Sequence, residues 1–227
     1  MCYNLLKYNL KGDLPMSILQ EISEALQKGK AKVVTELVQK ALDDGLKAED
    51  ILNQGLLAGM EVVGAKFKNN EVYVPEVLIA ARAMNQGSAI LKPALAESGV
   101  KAIGKVVLGT VKGDLHDIGK NLVRMMMEGK GLEVIDVGVD VPAEKFYEAY
   151  EKEGAQIIAC SALLTTTMNE MKNVVDYFIE KGVRDKVTFM VGGAPITESF
   201  CKSIGADYYS ADAASAADVA KAALVGA

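Results

Sequence analysis

The hydrophobic period of this chain changes at Glu97-Ser98-Gly99, and that change limits the folds open to it. Before it, apolar residues recur every three to four positions, the spacing of amphipathic helices. Ile18, Ile22, Ala25 and Leu26 share one face. Further helices are expected at 30–44, 48–67 and 75–95, with Gly29 and Gly45 as stops and Pro75 suited to a first helical turn. Four such helices joined by short loops make a small bundle. After the break, short apolar runs alternate with helical patterns. Strands are expected near 106–110, 133–136, 157–160, 189–191 and 208–209, with helices near 117–130, 143–153, 168–181, 197–203 and 213–225. Alternation of this kind builds a doubly wound parallel sheet. The expectation is a helical domain over 16–97 and a five-stranded, Rossmann-like α/β domain over 98–227.

In such sheets ligands bind outside the carboxyl ends of the strands. After the first strand comes Lys112-Gly113-Asp114-Leu115-His116-Asp117-Ile118-Gly119, which holds the one histidine in 227 residues. After the third comes Ser161-Ala162-Leu163-Leu164-Thr165-Thr166-Thr167, rich in hydroxyls. Gly192-Gly193-Ala194-Pro195 follows the fourth, and Ser210-Ala211-Asp212-Ala213 the fifth. One sheet edge is therefore expected to gather an imidazole, carboxylates, hydroxyls and bare backbone.

His116 can be read as a general base, a metal ligand or a solvated surface residue. Zinc is poorly served, with no second histidine and no cysteine pair at ligand spacing. The Gly-x-Ser-x-Gly elbow of a hydrolase is missing, as are Gly-x-Gly-x-x-Gly and a P-loop, which disfavours a nucleotide-binding domain. A single axial ligand to a metal held otherwise by a macrocycle remains, its second nitrogen held by Asp114. Asp117 suits the N-cap or first turn of its own helix, and Thr165, Thr166 or Thr167 could cap the helix after the third strand. Gly192-Gly193 also suits a plain strand-end turn.

Asp114, His116 and Gly119 as Asp-x-His-x-x-Gly, Ser161 and Leu163 as Ser-x-Leu, and Gly192-Gly193 together resemble the signature of cobalamin-binding domains. Val74-Pro75-Glu76-Val77-Leu78 and Ala80-Ala81-Arg82-Ala83-Met84 resemble the helical cap before such domains. The likeness covers 16–227 and is greatest to the corrinoid proteins of methyltransferase systems. It implies a base-off corrinoid with His116 as axial ligand to cobalt, tuned through Asp114 and a hydroxyl at Thr167. Gly113, Leu115, Asp117, Ile118, Gly119, Leu163 and Thr165 would contact the cofactor. Ser161, Gly192, Gly193 and Ala213 would line a slot for its nucleotide tail. Tyr73 and Met84 match cap positions, although a stripe of this kind also serves as plain core.

The resemblance implies a methyl carrier, a cofactor-bearing subunit rather than a complete enzyme. Its partners would be a substrate-specific methyltransferase, a second methyltransferase with a folate, pterin or thiol acceptor, and a reductive activase. The rival reading is a cobalamin-based sensor or regulator, disfavoured because no basic segment or DNA-binding helix pair precedes the bundle. Net charge is −5 with no lysine or arginine cluster, which argues against nucleic acid. No apolar run is long enough for a membrane span. Cys2, Cys160 and Cys201 form no disulfide pattern, so a reducing, cytoplasmic setting is expected.

Residues 1–15 mix lysine, asparagine and leucine ahead of Pro15, and Met16 opens the first clean amphipathic pattern. They are expected to be an unstructured or non-native extension. A chain begun at Met16 should therefore fold and take up ligand as the full chain does, which circular dichroism and a binding titration can check.

Overall fold

The computed structural model describes residues 16–98 and 102–226. The extension 1–15 and Gly99 lie outside the described residues. Glu97 and Ser98, the rest of the stretch where the hydrophobic period changes, are the last residues of a helix.

Helix α1 (Ile18–Gln27) starts with a capping box: Ser17 Oγ accepts from the Gln20 N–H at 3.3 Å, and Gln20 Oε1 accepts from the Ser17 N–H at 3.0 Å. α2 (Ala31–Asp43) follows after Gly29, and α3 (Ala48–Asp50) leads into a π-helical segment, Ile51–Leu57, and then α4 (Ala58–Lys68). Periodicity predicts one α-helix here. The buried set Ile51, Gly55, Gly59 and Val63 explains the difference. Residues four apart drift around a helix of 3.6 residues per turn, and a wider π turn cancels the drift. α5 (Val74–Ser98) completes the bundle, with Pro93 inside it.

The second half runs β1 (Lys105–Val111), α6 (Ile118–Glu128), β2 (Glu133–Val141), α7 (Ala143–Glu153), β3 (Ile157–Ser161), α8 (Met168–Glu180), β4 (Thr188–Gly192), α9 (Glu198–Ser203), β5 (Tyr208–Ser210) and α10 (Ala213–Val225). The strands are parallel in the order β2-β1-β3-β4-β5. From β1 the chain moves outward to β2 and then returns to place β3 on β1's other side. The order thus reverses between β1 and β3, where a doubly wound sheet opens a crevice.

Strand side chains alternate between faces. Val106, Leu108, Ile157 and Ala159 join one core under α6 and α10, and Val107, Val111, Ile158 and Cys160 join another under α7, α8 and α9. The first core is continuous with the bundle interior, including Leu26, Val38, Met60 and Leu91. The bundle therefore docks on the α6/α10 face. Lys130 bridges the junction to Glu61 at 3.3 Å and to Asp218 at 2.9 Å, and Lys68 approaches Asp218 at 3.6 Å.

β2 extends five residues past its expected end at 136. It is an edge strand whose second half is only partly buried, so its apolar run stops before its pairing does. Register shifts on either side of Gly109 accommodate it. A Cβ at Gly109 would lie 2.6 Å from Val137 Cγ2 and 2.7 Å from Phe146 Cζ, so a bare backbone lets both side chains cross β1.

In the second core Phe178 stands edge-on to Phe189, ring centroids 5.0 Å apart, and both are fully buried. Phe178→Ala should cost about 3–5 kcal/mol, read as a fall in denaturation midpoint with little change in slope.

Candidate functional site

Asp114 is fully buried at the carboxyl end of β1, and five donors converge on its carboxylate. Oδ1 accepts from the His116 N–H at 3.1 Å and from His116 Nδ1 at 2.7 Å. Oδ2 accepts from the N–H groups of Leu163 at 2.8 Å and Leu164 at 3.1 Å, and from Thr167 Oγ1 at 2.9 Å. One oxygen thus organises the β1–α6 loop and the other ties it to the β3–α8 loop. Burial on its own raises the Asp114 pKa. The hydrogen bonds from His116 and from the Leu163 and Leu164 backbone outweigh it and hold the carboxyl far below the usual carboxylate range.

With Nδ1–H donating to a carboxylate, Nε2 of a neutral His116 carries the lone pair. That nitrogen has no partner among the described residues, and the side chain is 50% exposed. Thr110 Oγ1 donates to the His116 carbonyl at 2.9 Å, fixing the backbone from below. Leu115, Leu163 and Leu164 are exposed on the same two loops, and Ile118 is exposed at the start of α6. An imidazole held at one nitrogen and open at the other, with exposed aliphatic side chains on the neighbouring chain segments, can serve as a single directed ligand to a large apolar group.

A cavity of about 300 Å³ opens between the strand ends and helices α6 and α10. Gly119, Ser161, Gly192 and Gly193 line it, and Ala213 is buried between its lining residues Asp212 and Ala216. Gly193 has φ +130°, and a Cβ there would lie 1.9 Å from the Ala162 carbonyl oxygen. Close packing of the β3 and β4 ends therefore demands glycine before any ligand is considered. Ser210 is a further lining residue, and its Oγ is shut off from solvent with no hydrogen-bond partner. An open imidazole nitrogen on the β1–α6 loop, together with a mostly apolar cavity walled by Gly119, Ser161 and Gly192, fits a corrinoid with a nucleotide tail.

The structure brings Gly113, Asp114, His116, Leu163 and Thr167 together. Thr167 holds the N-cap position of α8 but gives its helix no side-chain cap; its hydroxyl lies instead between Asp114 Oδ2 and the Leu164 carbonyl, each at 2.9 Å. Asp117 holds the N-cap position of α6 and accepts from Asn121 Nδ2 at 3.0 Å. Thr165 is exposed on the β3–α8 loop. Tyr73 is exposed just before α5. Met84 is buried in the bundle core and lines a cavity toward Ile103 and Leu132, at the amino end of the sheet.

Two polar residues that the sequence patterns pass over support the loop. Asp140 Oδ1 accepts from the Gly113 N–H at 2.7 Å, and its own N–H donates to the Asp114 carbonyl at 2.9 Å. It has φ +53°, a conformation in which aspartate is tolerated. Ending β2 at 136 hides it, and the Gly-Val-Asp sequence at the true strand end is the signal. Lys120, nearly fully buried, pairs with Asp136, which also takes Arg124 Nη1 at 3.2 Å.

Family models described as B12 binding domains match residues 18–92 and 104–220. The chain belongs to the B12-binding corrinoid proteins. This corrinoid protein is 43% identical over 208 residues to a corrinoid protein of Desulfitobacterium hafniense (strain Y51), covering 90% of this chain and 96% of that one. It is 43% identical over 206 residues to the dimethylamine corrinoid protein of Methanosarcina barkeri, with the same two coverages. Its fold matches a chain of the methanol:cobalamin methyltransferase complex of Methanosarcina barkeri with a TM-score of 0.84 at 33% identity, covering 92% of this chain and 80% of that one. No helix among its described residues is long and apolar enough to cross a membrane.

Asp114→Ala in this corrinoid protein would leave the Leu163 and Leu164 N–H groups without their acceptor and should cost about 1–3 kcal/mol at pH 7 for each donor left buried and unpaired. The folded pKa of Asp114 lies below its ordinary value of 3.8, so the stabilisation is complete above that pH and fades as pH falls toward the folded value. Denaturant titrations of both proteins at descending pH should therefore show the gap narrowing only below pH 3.8.

Proposed function

We propose that this chain is a methyl carrier. It would bind its corrinoid base-off with His116 as axial ligand to cobalt and move between a substrate-specific methyltransferase and a second methyltransferase acting on a folate, pterin or thiol. The observation that carries the reading is the five-donor carboxylate that pins one imidazole nitrogen and leaves the other open. A bound corrinoid supplies a cobalt centre that accepts and gives up a methyl group.

The residues of the chain set the conditions for that chemistry. Asp114 keeps the proton on Nδ1, so Nε2 presents its lone pair in a fixed direction. Thr167 donates to the far oxygen of the same carboxylate, which lengthens the relay to His116, Asp114 and a hydroxyl. Gly113, Leu115, Asp117, Ile118 and Gly119 on one loop, with Leu163 and Thr165 on the other, would frame the macrocycle around His116. Ser161, Gly192, Gly193 and Ala213 would receive the nucleotide tail in the slot.

The bundle would act as a lid that keeps water and oxygen from the reacting face, with Tyr73 at its edge and Met84 within its core. The printed names of the relatives include dimethylamine and methanol systems, so the donor is read as a small methylated amine or alcohol whose choice lies with the partner methyltransferase. A reductive activase would restore carriers whose cobalt has been oxidised.

His116→Ala, reconstituted with hydroxocobalamin, should retain corrinoid through the slot while its absorption spectrum and reduction potential shift and methyl transfer falls. An unchanged spectrum would remove His116 as the ligand. Thr167→Val should act in the same direction but more weakly than Asp114→Asn, whose loss of ligand orientation is expected to cost about 10–100-fold in affinity or transfer rate.

A further inference from the structure

The last four residues of β2 include two in the left-handed region, Gly138 with φ +95° and Asp140 with φ +53°. Among the described residues Asn70 is the other non-glycine with positive φ. Asn70 follows α4 and its N–H donates to the Phe67 carbonyl at 3.0 Å, closing the helix where a left-handed residue is ordinary. Asp140 stands inside a strand, where aspartate is disfavoured and glycine would adopt the same backbone more freely. Its carboxylate is what a glycine could not supply.

Among the described residues that carboxylate makes one hydrogen bond, accepting from the Gly113 N–H at 2.7 Å, while the Asp140 N–H donates to the Asp114 carbonyl at 2.9 Å. One residue thus grips both ends of the Gly113–Asp114 dipeptide. The Asp114 N–H donates to the Val111 carbonyl at 3.2 Å, so both polar main-chain groups of Asp114 are held. The grip has a firm base. Val141 pairs with Val111 where the two strands end, and Asp136, held by Lys120 and Arg124 of α6, accepts from the Gly138 N–H at 2.9 Å. The sheet order puts β2 on one side of β1 and β3 on the other. The loop is therefore braced from β2, while the Leu163, Leu164 and Thr167 donors reach the Asp114 carboxylate from the chain that follows β3.

We propose that Asp140 is a positioning residue for the axial ligand, fixing the direction of His116 through the main chain of Asp114. The proposal rests on His116 being that ligand. Asp114 Oδ1 holds both the His116 N–H and Nδ1, so it can aim the ring only if its own backbone is fixed. Gly113, with φ +80°, has no side chain to restrain the turn, and without Asp140 the carboxylate and the imidazole could shift together. Asp140 is exposed, and water competes for its bond to Gly113, so that bond adds little to the stability of the fold. Its effect falls on ligand orientation, where loss of an outer partner costs about 10–100-fold. Asp140 acts one step further out than Asp114, which places it at the lower end of that range.

The test compares Asp140→Gly with Asp140→Asn in the full chain. Glycine keeps the left-handed backbone and removes the acceptor; asparagine keeps an acceptor oxygen, tolerates the same backbone and removes the charge. Both should melt close to the parent, and a large fall in either midpoint would make Asp140 a structural residue and overturn the proposal. After loading with cobalamin, absorption spectra read the ratio of corrinoid with imidazole on cobalt to corrinoid without it, and spectroelectrochemistry reads the cobalt(II)/cobalt(I) couple. Asp140→Gly should lower the ratio about tenfold and move the couple to a less negative potential, because an axial donor favours the higher oxidation state. Asp140→Asn should match the parent in both. A parent-like spectrum and potential in Asp140→Gly would overturn the proposal, and equal changes in the two variants would overturn the acceptor as the cause.

A second measurement needs no corrinoid. His116 is the one histidine in 227 residues, so its two ring nitrogens can be read directly by NMR of the 15N-labelled protein. At alkaline pH the proton should reside on Nδ1 in the parent and in Asp140→Asn, and the two tautomers should mix in Asp140→Gly; a parent-like tautomer in Asp140→Gly would count against the proposal. His116→Ala is the control. If its loaded spectrum equals the parent's, the assignment of His116 as ligand fails, and the ring nitrogens of the corrinoid-free chain still decide whether Asp140 orients the imidazole.

Discussion

The Asp114 carboxylate is the interaction on which the site depends. It is fully buried, and each of its oxygens serves a different loop. A buried carboxylate without partners would take up a proton or unfold its surroundings. Its ionisation here is supported by donors from residues 49, 50 and 53 positions away as well as by its neighbour His116. The β1–α6 and β3–α8 loops are therefore locked together at the point where the strand order reverses. The direction of the imidazole is a consequence of that lock, and Asp140 and Thr110 secure the backbone on either side.

The bundle and the sheet share one apolar core. Bundle side chains such as Met60 and α/β side chains such as Leu108 and Met126 belong to a single cluster, so the bundle has no separate base on which to rest. Its docking covers α6 and α10, the same helices that wall the slot. Ion pairs from Lys130 and Lys68 ring this junction, where salt and solvent weaken them. Apolar contact holds the two halves, and the ion pairs lie at its margin.

Much of this was legible in the residues. The parallel five-stranded sheet followed from the change of period at Glu97-Ser98-Gly99, and the family followed from Asp-x-His-x-x-Gly, Ser-x-Leu and Gly-Gly spaced along the strand ends. The hydrogen bond between Asp114 and His116 could be expected because two residues on a tight loop lie within reach of each other. The π-helical segment was not legible, because Leu56, Leu57, Met60 and Val63 fit an ordinary helix, while Gly55 and Gly59, which complete the four-residue spacing, carry no apolar side chain to reveal it. The length of β2 was hidden by its place at the sheet edge, where half-exposed residues mask the apolar pattern, and Asp140 was hidden with it.

What the sequence determined by itself is local: which segments are helix or strand, where glycine is compatible with the backbone, and which loop carries the imidazole. These follow from spacings of two to four residues, the range over which side chains share a face. Only the tertiary structure decided that Thr167 serves Asp114 instead of capping its helix, that Met84 lies in the bundle core, and that Ser210 Oγ is buried without a partner. Strand order and register set those outcomes. They depend on which strands become neighbours, a choice made by the whole core and not by any one stretch of chain.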